Sequence, residues 1–222
     1  MQKIAIYDMD RTITVRGTYT PFLVHMAWSL APWRLVLLPV AGLVMLGYVL
    51  RLFSRARVKE LNQHLLMGPR VSRARIMPAV EAYADKVIAS NLRPGAVEQI
   101  ARDRAEGYRL LIASASYRLY VEPIARRLGF DDVIATDHFT QDIDYVRAKI
   151  AGENCYDVAK LRMIEAWMAG QGIERTRAHV RAYSDHVTDA PMLGYADEGF
   201  AANPHARLAR IAGLRGWPVL HW

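Results

Sequence analysis

From Pro94 onward the chain alternates helical periodicity with short apolar runs, and this alternation constrains the fold more than any other feature. A helical pattern from Pro94 to Ala105 stops at Gly107, and the apolar run Tyr108 to Ala113 follows. A second helix, about Leu119 to Leu128, closes at Gly129 and gives way to Val133-Ile134-Ala135. The polar stretch from about Asp137 to Asn154 reads as a hairpin. Beyond it, Tyr156 to Gly170 is helical, Ala178 to Tyr183 a strand, Pro191 to Tyr195 a short helix and Gly199 to Ala202 a strand. One more helix precedes the last apolar run, Pro218-Val219-Leu220. Short buried strands joined through helices pair in parallel and are covered on both faces. The expectation is an α/β fold with a mainly parallel sheet.

With 222 residues the chain can bury one substantial core and carry a small insertion, but not two full-sized domains. The insertion shows in the composition, which turns strongly apolar between Pro21 and about Phe53 and then returns to mixed sequence. Arg57 to Leu66 and Arg73 to Leu92 alternate apolar and charged residues at helical spacing, and Arg93-Pro94-Gly95 breaks the pattern. The expected division is a catalytic core of residues 1–20 and 90–222 around a helical, apolar cap of residues 21–89. The formal charge of +7 suits nucleic acid, anionic lipid or phosphorylated small molecules. No lysine or arginine run, zinc-finger spacing or aromatic RNA-binding motif accompanies it, so nucleic acid is not expected as a partner. A single cysteine, Cys155, excludes an intramolecular disulfide and reads as a packing residue. The hydrophobic stretch near the N-terminus ends at Asp8, too short and too acidic for a secretory signal.

The chemistry-bearing residues sit at strand ends. Lys3-Ile4-Ala5-Ile6-Tyr7 delivers Asp8-Met9-Asp10-Arg11-Thr12 at its carboxyl end, where open α/β sheets bind ligands. Strand alternation sends Asp8 and Asp10 to the same side. One carboxylate can then attack phosphorus while the other protonates the leaving alcohol, provided a cation screens the nucleophile from the phosphate. Arg109 to Ser116 ends a strand on Ser114-Ala115-Ser116, small residues whose backbone N–H groups can approach a phosphate oxygen. Lys160, near the start of a helix, can bring positive charge to a transferring phosphoryl group. Ser184-Asp185-His186-Val187-Thr188-Asp189 places two acids four residues apart after a strand, oxygen donors for a hard cation. Singly, each has an ordinary reading: a capped turn, a helix-capping serine, a surface lysine.

In these four pieces and their order the chain resembles the haloacid dehalogenase superfamily of phosphatases, in the branch that contains phosphoserine phosphatase. Asp8-x-Asp10-x-Thr12 matches the first motif, Ser114 the second, Lys160 the third and Asp185-x-x-x-Asp189 the fourth; Lys149, ahead of the Gly152 turn, fits the third less well. The resemblance implies a Rossmann-like core with an inserted cap. It also implies Asp8 as nucleophile, Asp10 as general acid and then base, and Ser114, Ala115 and Lys160 as phosphate holders. Mg²⁺ would be held by the Asp8 carboxylate, the Asp10 backbone carbonyl and Asp185, with Thr12 and Asp189 in support. His186 reads as a spacer. Unlike phosphoserine phosphatase, the chain has no carboxylate in Val15-Arg16-Gly17-Thr18-Tyr19 to meet a substrate amino group. The layout is closer to the bacterial phosphatidylglycerophosphatase C type, which also has an apolar insertion after the first motif.

Topology decides how the insertion can meet a membrane. Sixteen uncharged residues lie between Arg34 and Arg51, short of the roughly 20 that a spanning helix needs. Asp8 precedes them, and Ser114, Lys160 and Asp185 follow, with no second long apolar stretch in residues 54–110 to return the chain. A single spanning helix is therefore excluded if these residues share a site. What stays open is a re-entrant hairpin turning at Ala31-Pro32-Trp33, an interfacial segment, or an ordinary buried cap. Trp28, Trp33, Arg34, Arg51, Arg55 and Arg57 flank the segment with residues suited to an anionic lipid surface. The expectation is a Mg²⁺-dependent phosphatase at the cytoplasmic face of the inner membrane, acting on a phosphorylated lipid headgroup such as phosphatidylglycerophosphate. The rivals are a cytoplasmic phosphatase of small metabolites and a catalytically idle membrane or partner-binding module.

Overall fold

Strand β1 (Gln2–Tyr7) runs through the middle of the molecule and carries apolar side chains to both faces, Ala5 and Tyr7 on one and Ile4 and Ile6 on the other. The computed structural model describes residues 1–138 and 143–222. After β1 come α1 (Tyr19–Leu30), a 3₁₀ turn (Pro32–Leu37), α2 (Leu38–Val49), α3 (Arg55–Leu66), β2 (Arg70–Ser72) and α4 (Arg73–Ser90). The chain continues as α5 (Pro94–Ala105), β3 (Arg109–Tyr117), α6 (Arg118–Leu128), β4 (Asp132–His138), β5 (Tyr145–Arg147), β6 (Ile150–Ala151) and α7 (Val158–Gly170). It closes with β7 (Ala178–Ser184), α8 (Ala190–Tyr195), β8 (Glu198–Ala202), α9 (Ala206–Arg215) and β9 (Val219–Leu220). The helix boundaries follow local chemistry. Pro94 opens α5 with its fixed φ, and Gly129, at φ 75°, ends α6 in the left-handed conformation that only a glycine adopts without steric cost.

The main sheet has the order β6-β4-β3-β1-β7-β8-β9, and every pair in it is parallel except β6 on β4. This is the mainly parallel α/β arrangement expected from the alternation, and the Rossmann-like core that the resemblance implies. Tyr7 pairs with Ile112 and with Tyr183, so β1, β3 and β7 end at one edge of the sheet. The first turn after each strand therefore lands in the same crevice.

Each sheet face has its own core. On one, Ile4, Ile6, Leu111 and Val180 pack with Ile164 and Met168 of α7 and Leu208 of α9. On the other, Tyr7, Ile112 and Tyr183 join Tyr120 and Ile124 of α6, and the same cluster continues into Phe22 and Met26 of α1 and Val80 and Tyr83 of α4. The chain leaves the sheet layer and rejoins it side by side: Val15 N–H donates to Asn91 O, and Arg93 N–H donates to Ile13 O. Helix α2 touches the second core only through Ala41 and otherwise buries only Gly47.

The polar stretch 137–154 differs in part from the hairpin expected of it. β6 does turn back antiparallel on β4, but β5 pairs instead with β2, which follows α3. Val71 and Val146 are opposite each other in that ribbon, a pairing between segments 75 residues apart in sequence that no local pattern reveals. Residues 139–142 of the stretch lie outside the described residues.

Candidate active site

Asp8 leaves β1 with its backbone N–H still donating to Tyr183 O, and the next five residues form a tight turn in which Arg11 takes φ 64°. A non-glycine residue in that region costs about 1–3 kcal/mol and is retained where the surrounding structure requires it. Here Arg11 N–H donates to Thr14 Oγ1, and the Arg93 guanidinium binds the Arg11 carbonyl. The turn folds Thr12 back beneath Asp8. Its Oγ1 lies 3.3 Å from Asp8 Oδ2 and 3.4 Å from Asp185 Oδ1, and it accepts the Asp185 N–H at 3.0 Å.

All four motifs meet at this edge of the sheet. Lys160, in the first turn of α7, is 2% exposed, and its ammonium donates to Asp8 Oδ1 and Asp189 Oδ2, each at 2.8 Å. Ser184 Oγ also donates to Asp189 Oδ2 at 2.7 Å. Ser114 is buried in β3, and its Oγ accepts the Ser116 N–H at 3.1 Å. Asp8, Asp10, Ala115, Lys160, Asp185 and Asp189 all line an open pocket of about 500 Å³; Ser114 lies just behind its wall.

Asp10 is held differently from Asp8. Its Oδ1 accepts from the Thr18 N–H (2.6 Å) and Thr18 Oγ1 (2.7 Å), and its Oδ2 accepts from Ser116 Oγ (2.6 Å). Three hydroxyl and amide donors fix this carboxyl in the pocket wall, and among the described residues no cationic side chain pairs with it. Sequence reasoning missed Thr18 and Ser116 as partners of Asp10. Ser116 lies in the run Ser114-Ala115-Ser116, and nothing in a linear sequence says which of the two serines turns toward the acid.

Burial pushes the Asp8 carboxyl up, to about 8; Lys160 opposes this, and the carboxylates of Asp189 and Asp185 add to it. Burial likewise raises Asp185 to about 6, with His205 pulling down and Asp189 pushing up. For Lys160, burial alone favours the neutral amine, but Asp189 and Asp8 outweigh it and hold the ammonium well above its usual range. The site thus carries three nearly buried carboxylates against one lysine. His205, whose Nε2 lies 3.3 Å from Asp185 Oδ2, is half exposed and was not anticipated from sequence; His186, expected as a spacer, lines the same wall and caps the turn at Thr188.

The donor set suits a hard divalent cation. Among the described residues no three acidic or histidine side chains gather closely enough to hold an ion by themselves. The Asp10 carboxylate is committed to Thr18 and Ser116, which leaves Asp8 and Asp185, on either side of Thr12, as the carboxylates that can face a cation. Carboxylate oxygens with no cysteine among the residues lining the pocket suit Mg²⁺ better than a soft metal, with His186 and His205 as the nitrogen donors on the same wall.

The sequence model of haloacid dehalogenase-like hydrolases matches residues 5–194. A probable phosphatase of Mycobacterium tuberculosis is 28% identical over 221 residues, spanning 97% of this chain and 74% of that protein. Among solved structures, a Bordetella pertussis protein of unknown function is similar with a TM-score of 0.89 at 24% identity, over 99% of this chain and 98% of that one. A phosphoserine phosphatase captured as an analogue of its phospho-aspartyl intermediate has a TM-score of 0.65 at 17% identity, over 99% of this chain and 93% of that one. These last two likenesses concern the fold.

Proposed function

The chain belongs to the haloacid dehalogenase-like hydrolase family, and from that premise we propose that it is a Mg²⁺-dependent phosphomonoesterase that uses Asp8 as nucleophile and takes its substrates from an anionic lipid surface. The observation that carries the catalytic part is the Lys160 ammonium, buried and bonded to both Asp8 and Asp189 at the floor of an open pocket. A phosphate monoester entering that pocket meets the Asp8 carboxylate, the Lys160 charge and Ala115 together. Attack by Asp8 on phosphorus forms an acyl phosphate and breaks the bond to the leaving oxygen. Asp10, oriented by Thr18 and Ser116, gives that oxygen a proton and then takes one from the water that cleaves the acyl phosphate. Asp8, Asp185 and the Asp10 carbonyl would hold Mg²⁺, which when bound screens the repulsion between carboxylate and phosphate. The phosphatase reading of the Mycobacterium tuberculosis relative agrees with this assignment.

The lipid part rests on the pocket rim and on α2. Among the described residues the only acids lining the pocket are Asp8, Asp10, Asp185 and Asp189, so a substrate amino group would find no carboxylate of its own. The rim instead offers Met45 from α2 and Arg55 from α3, a pairing that suits an apolar chain next to an anionic headgroup. Outward from Met45, α2 and the turn after it expose Leu43, Leu46, Val49, Leu50 and Leu52. The helical run Pro32–Val49 is long and apolar enough to cross a membrane by length and composition. Yet both its ends are tied to the same body, through Phe22 and Met26 of α1 and Val58 and Leu66 of α3. On this reading it would lie in the interface or re-enter from one side, a placement that Trp33 and Arg34 at its start support as residues suited to headgroup depth. The test is phosphate release from phosphatidylglycerophosphate in vesicles beside release from phosphoserine and p-nitrophenyl phosphate. A clear preference for phosphoserine would replace the lipid reading by that of a soluble-metabolite enzyme; no release from any of them would end the phosphatase reading.

A further inference from the structure

Lys59 projects from α3 into the core and is 6% exposed, although no motif claims it. Its ammonium donates to the carbonyl of Ala115, to Asn154 Oδ1 at 2.8 Å and to Thr136 Oγ1 at 3.3 Å. The three protons of an ammonium thus meet three neutral oxygens. The ring of Tyr117 lies 4.7 Å away and that of Tyr19 5.8 Å, so the charge is also over two aromatic faces. Among the described residues no carboxylate is within ion-pair distance of it. A desolvated charge without a counter-ion is costly and is rarely retained for packing alone.

Its partners are parts of the catalytic frame. Ala115 lines the pocket between Ser114 and Ser116, Thr136 belongs to β4 beside the phosphate loop, and Asn154 leads into α7, which carries Lys160. Thr136 Oγ1 accepts the Cys155 N–H at 3.1 Å and can donate its own hydrogen to the Ala115 carbonyl at 2.8 Å. The Ala115 carbonyl and the Ser116 N–H belong to one planar peptide. That N–H donates to Ser114 Oγ, and the Ser116 hydroxyl donates to Asp10. A positive charge on the carbonyl end polarises the N–H end, and a hydroxyl that accepts a stronger hydrogen bond becomes a better donor itself.

Resting on the phosphatase reading of this site, we propose that Lys59 is a positioning residue supplied by the cap: its ammonium fixes and polarises the Ala115–Ser116 peptide, so that Ala115 keeps its place in the pocket wall and the Ser116 hydroxyl holds Asp10. The cap thereby completes the phosphate loop from behind, without touching substrate. Burial, together with Arg55 on the same helix, pulls Lys59 down to about 7, while Cys155 and Asp10 on the core side pull it up. His138 on β4 is held neutral by its own burial and by Lys59, and burial keeps the hydroxyls of Tyr19 and Tyr117 un-ionised by raising them above their usual range.

Lys59→Met removes the charge and keeps the length of the side chain. With p-nitrophenyl phosphate, kcat/KM at about pH 6 should fall by about 10- to 100-fold, the factor that loss of a hydrogen bond to a charged group corresponds to, with the melting temperature at or above that of the wild type. Because the wild-type amine loses its proton as pH rises, the gap between the two proteins should narrow to less than about threefold near pH 9.5. A folded Lys59→Met with wild-type kcat/KM at pH 6, or a deficit equal at every pH, overturns the assignment. If the Met variant does not fold, Lys59→Gln is compared in the same way. If the wild type hydrolyses no phosphate monoester, the phosphatase reading fails by itself. The crystal structure of Lys59→Met then decides: a turned Ala115–Ser116 peptide supports the assignment, and an unmoved one overturns it.

Discussion

The floor of the pocket and the outer surface of α2 handle their awkward groups in opposite ways. At the floor, charged side chains are buried and every one has partners: Lys160 bridges Asp8 and Asp189, Asp185 meets Thr12 and His205, and Asp10 takes three donors. On α2, by contrast, large apolar side chains are exposed; Leu43 is 65% exposed and Val49 71%. The first arrangement stabilises a chemistry that water would disturb. The second is unfavourable in water, and it makes sense where an apolar phase covers it, since burying each CH₂ is worth about 0.8 kcal/mol. Substitutions in the two regions should therefore separate catalysis from association.

The largest effect is expected at the floor. Asp8→Asn keeps the shape of the side chain and removes its nucleophilic oxygen, and kcat should fall by on the order of 10⁴ or more. Asp10→Asn should lower it by about 10²–10⁴ by removing proton transfer alone. Near-normal turnover by either variant, assayed on the best substrate, would break the pairing of roles. On α2, Leu43→Asp with Leu46→Asp places two charges at membrane depth, each costing roughly 2.5 kcal/mol. Co-sedimentation with anionic vesicles should be lost while p-nitrophenyl phosphate turnover stays near wild type. Vesicle binding unchanged in this variant, or absent from the wild type, would show that protein rather than lipid covers the helix.

A smaller effect separates the regions without any turnover. Asp8 and Asp185 have folded pKa values above the unfolded 3.8, so between that value and about 6 for Asp185, or about 8 for Asp8, the folded state binds more protons than the unfolded one. Stability from these groups then falls as pH rises through that window. In EDTA the melting temperature should drop from about pH 5 to pH 8, and Mg²⁺ should raise it more at pH 8 than at pH 5, by several degrees. An equal response at both pH values would mean that the cation does not bind between these carboxylates.

The two regions were also unequally legible in the sequence. The strand ends carrying Asp8, Ser114 and Asp185 could be located because buried parallel strands are short, apolar and punctuated by glycine and polar residues, and a sheet brings their carboxyl ends together. Lys160 could be placed because it opens a helix of clear periodicity. The partners that orient these groups were not legible. Thr18 reaches Asp10 through a turn whose shape depends on Arg11 adopting φ 64°, and Lys59 and His205 arrive from elements far away in sequence. The β2–β5 ribbon was hidden for the same reason, since strand pairing across the insertion depends on where the cap docks. The exposed face of α2 was visible as composition, but only its packing shows that the core leaves it uncovered.

The most direct test of the catalytic account is a single turnover of p-nitrophenyl phosphate with Mg²⁺, quenched in acid and mapped by peptide mass spectrometry. A phosphoryl group should appear on the peptide bearing Asp8, be absent from Asp8→Asn, and accumulate in Asp10→Asn if an activated substrate lets the first step proceed. Phosphate release with no phosphorylated peptide at any quench time, or with the phosphoryl group on another residue, would contradict Asp8 as the nucleophile.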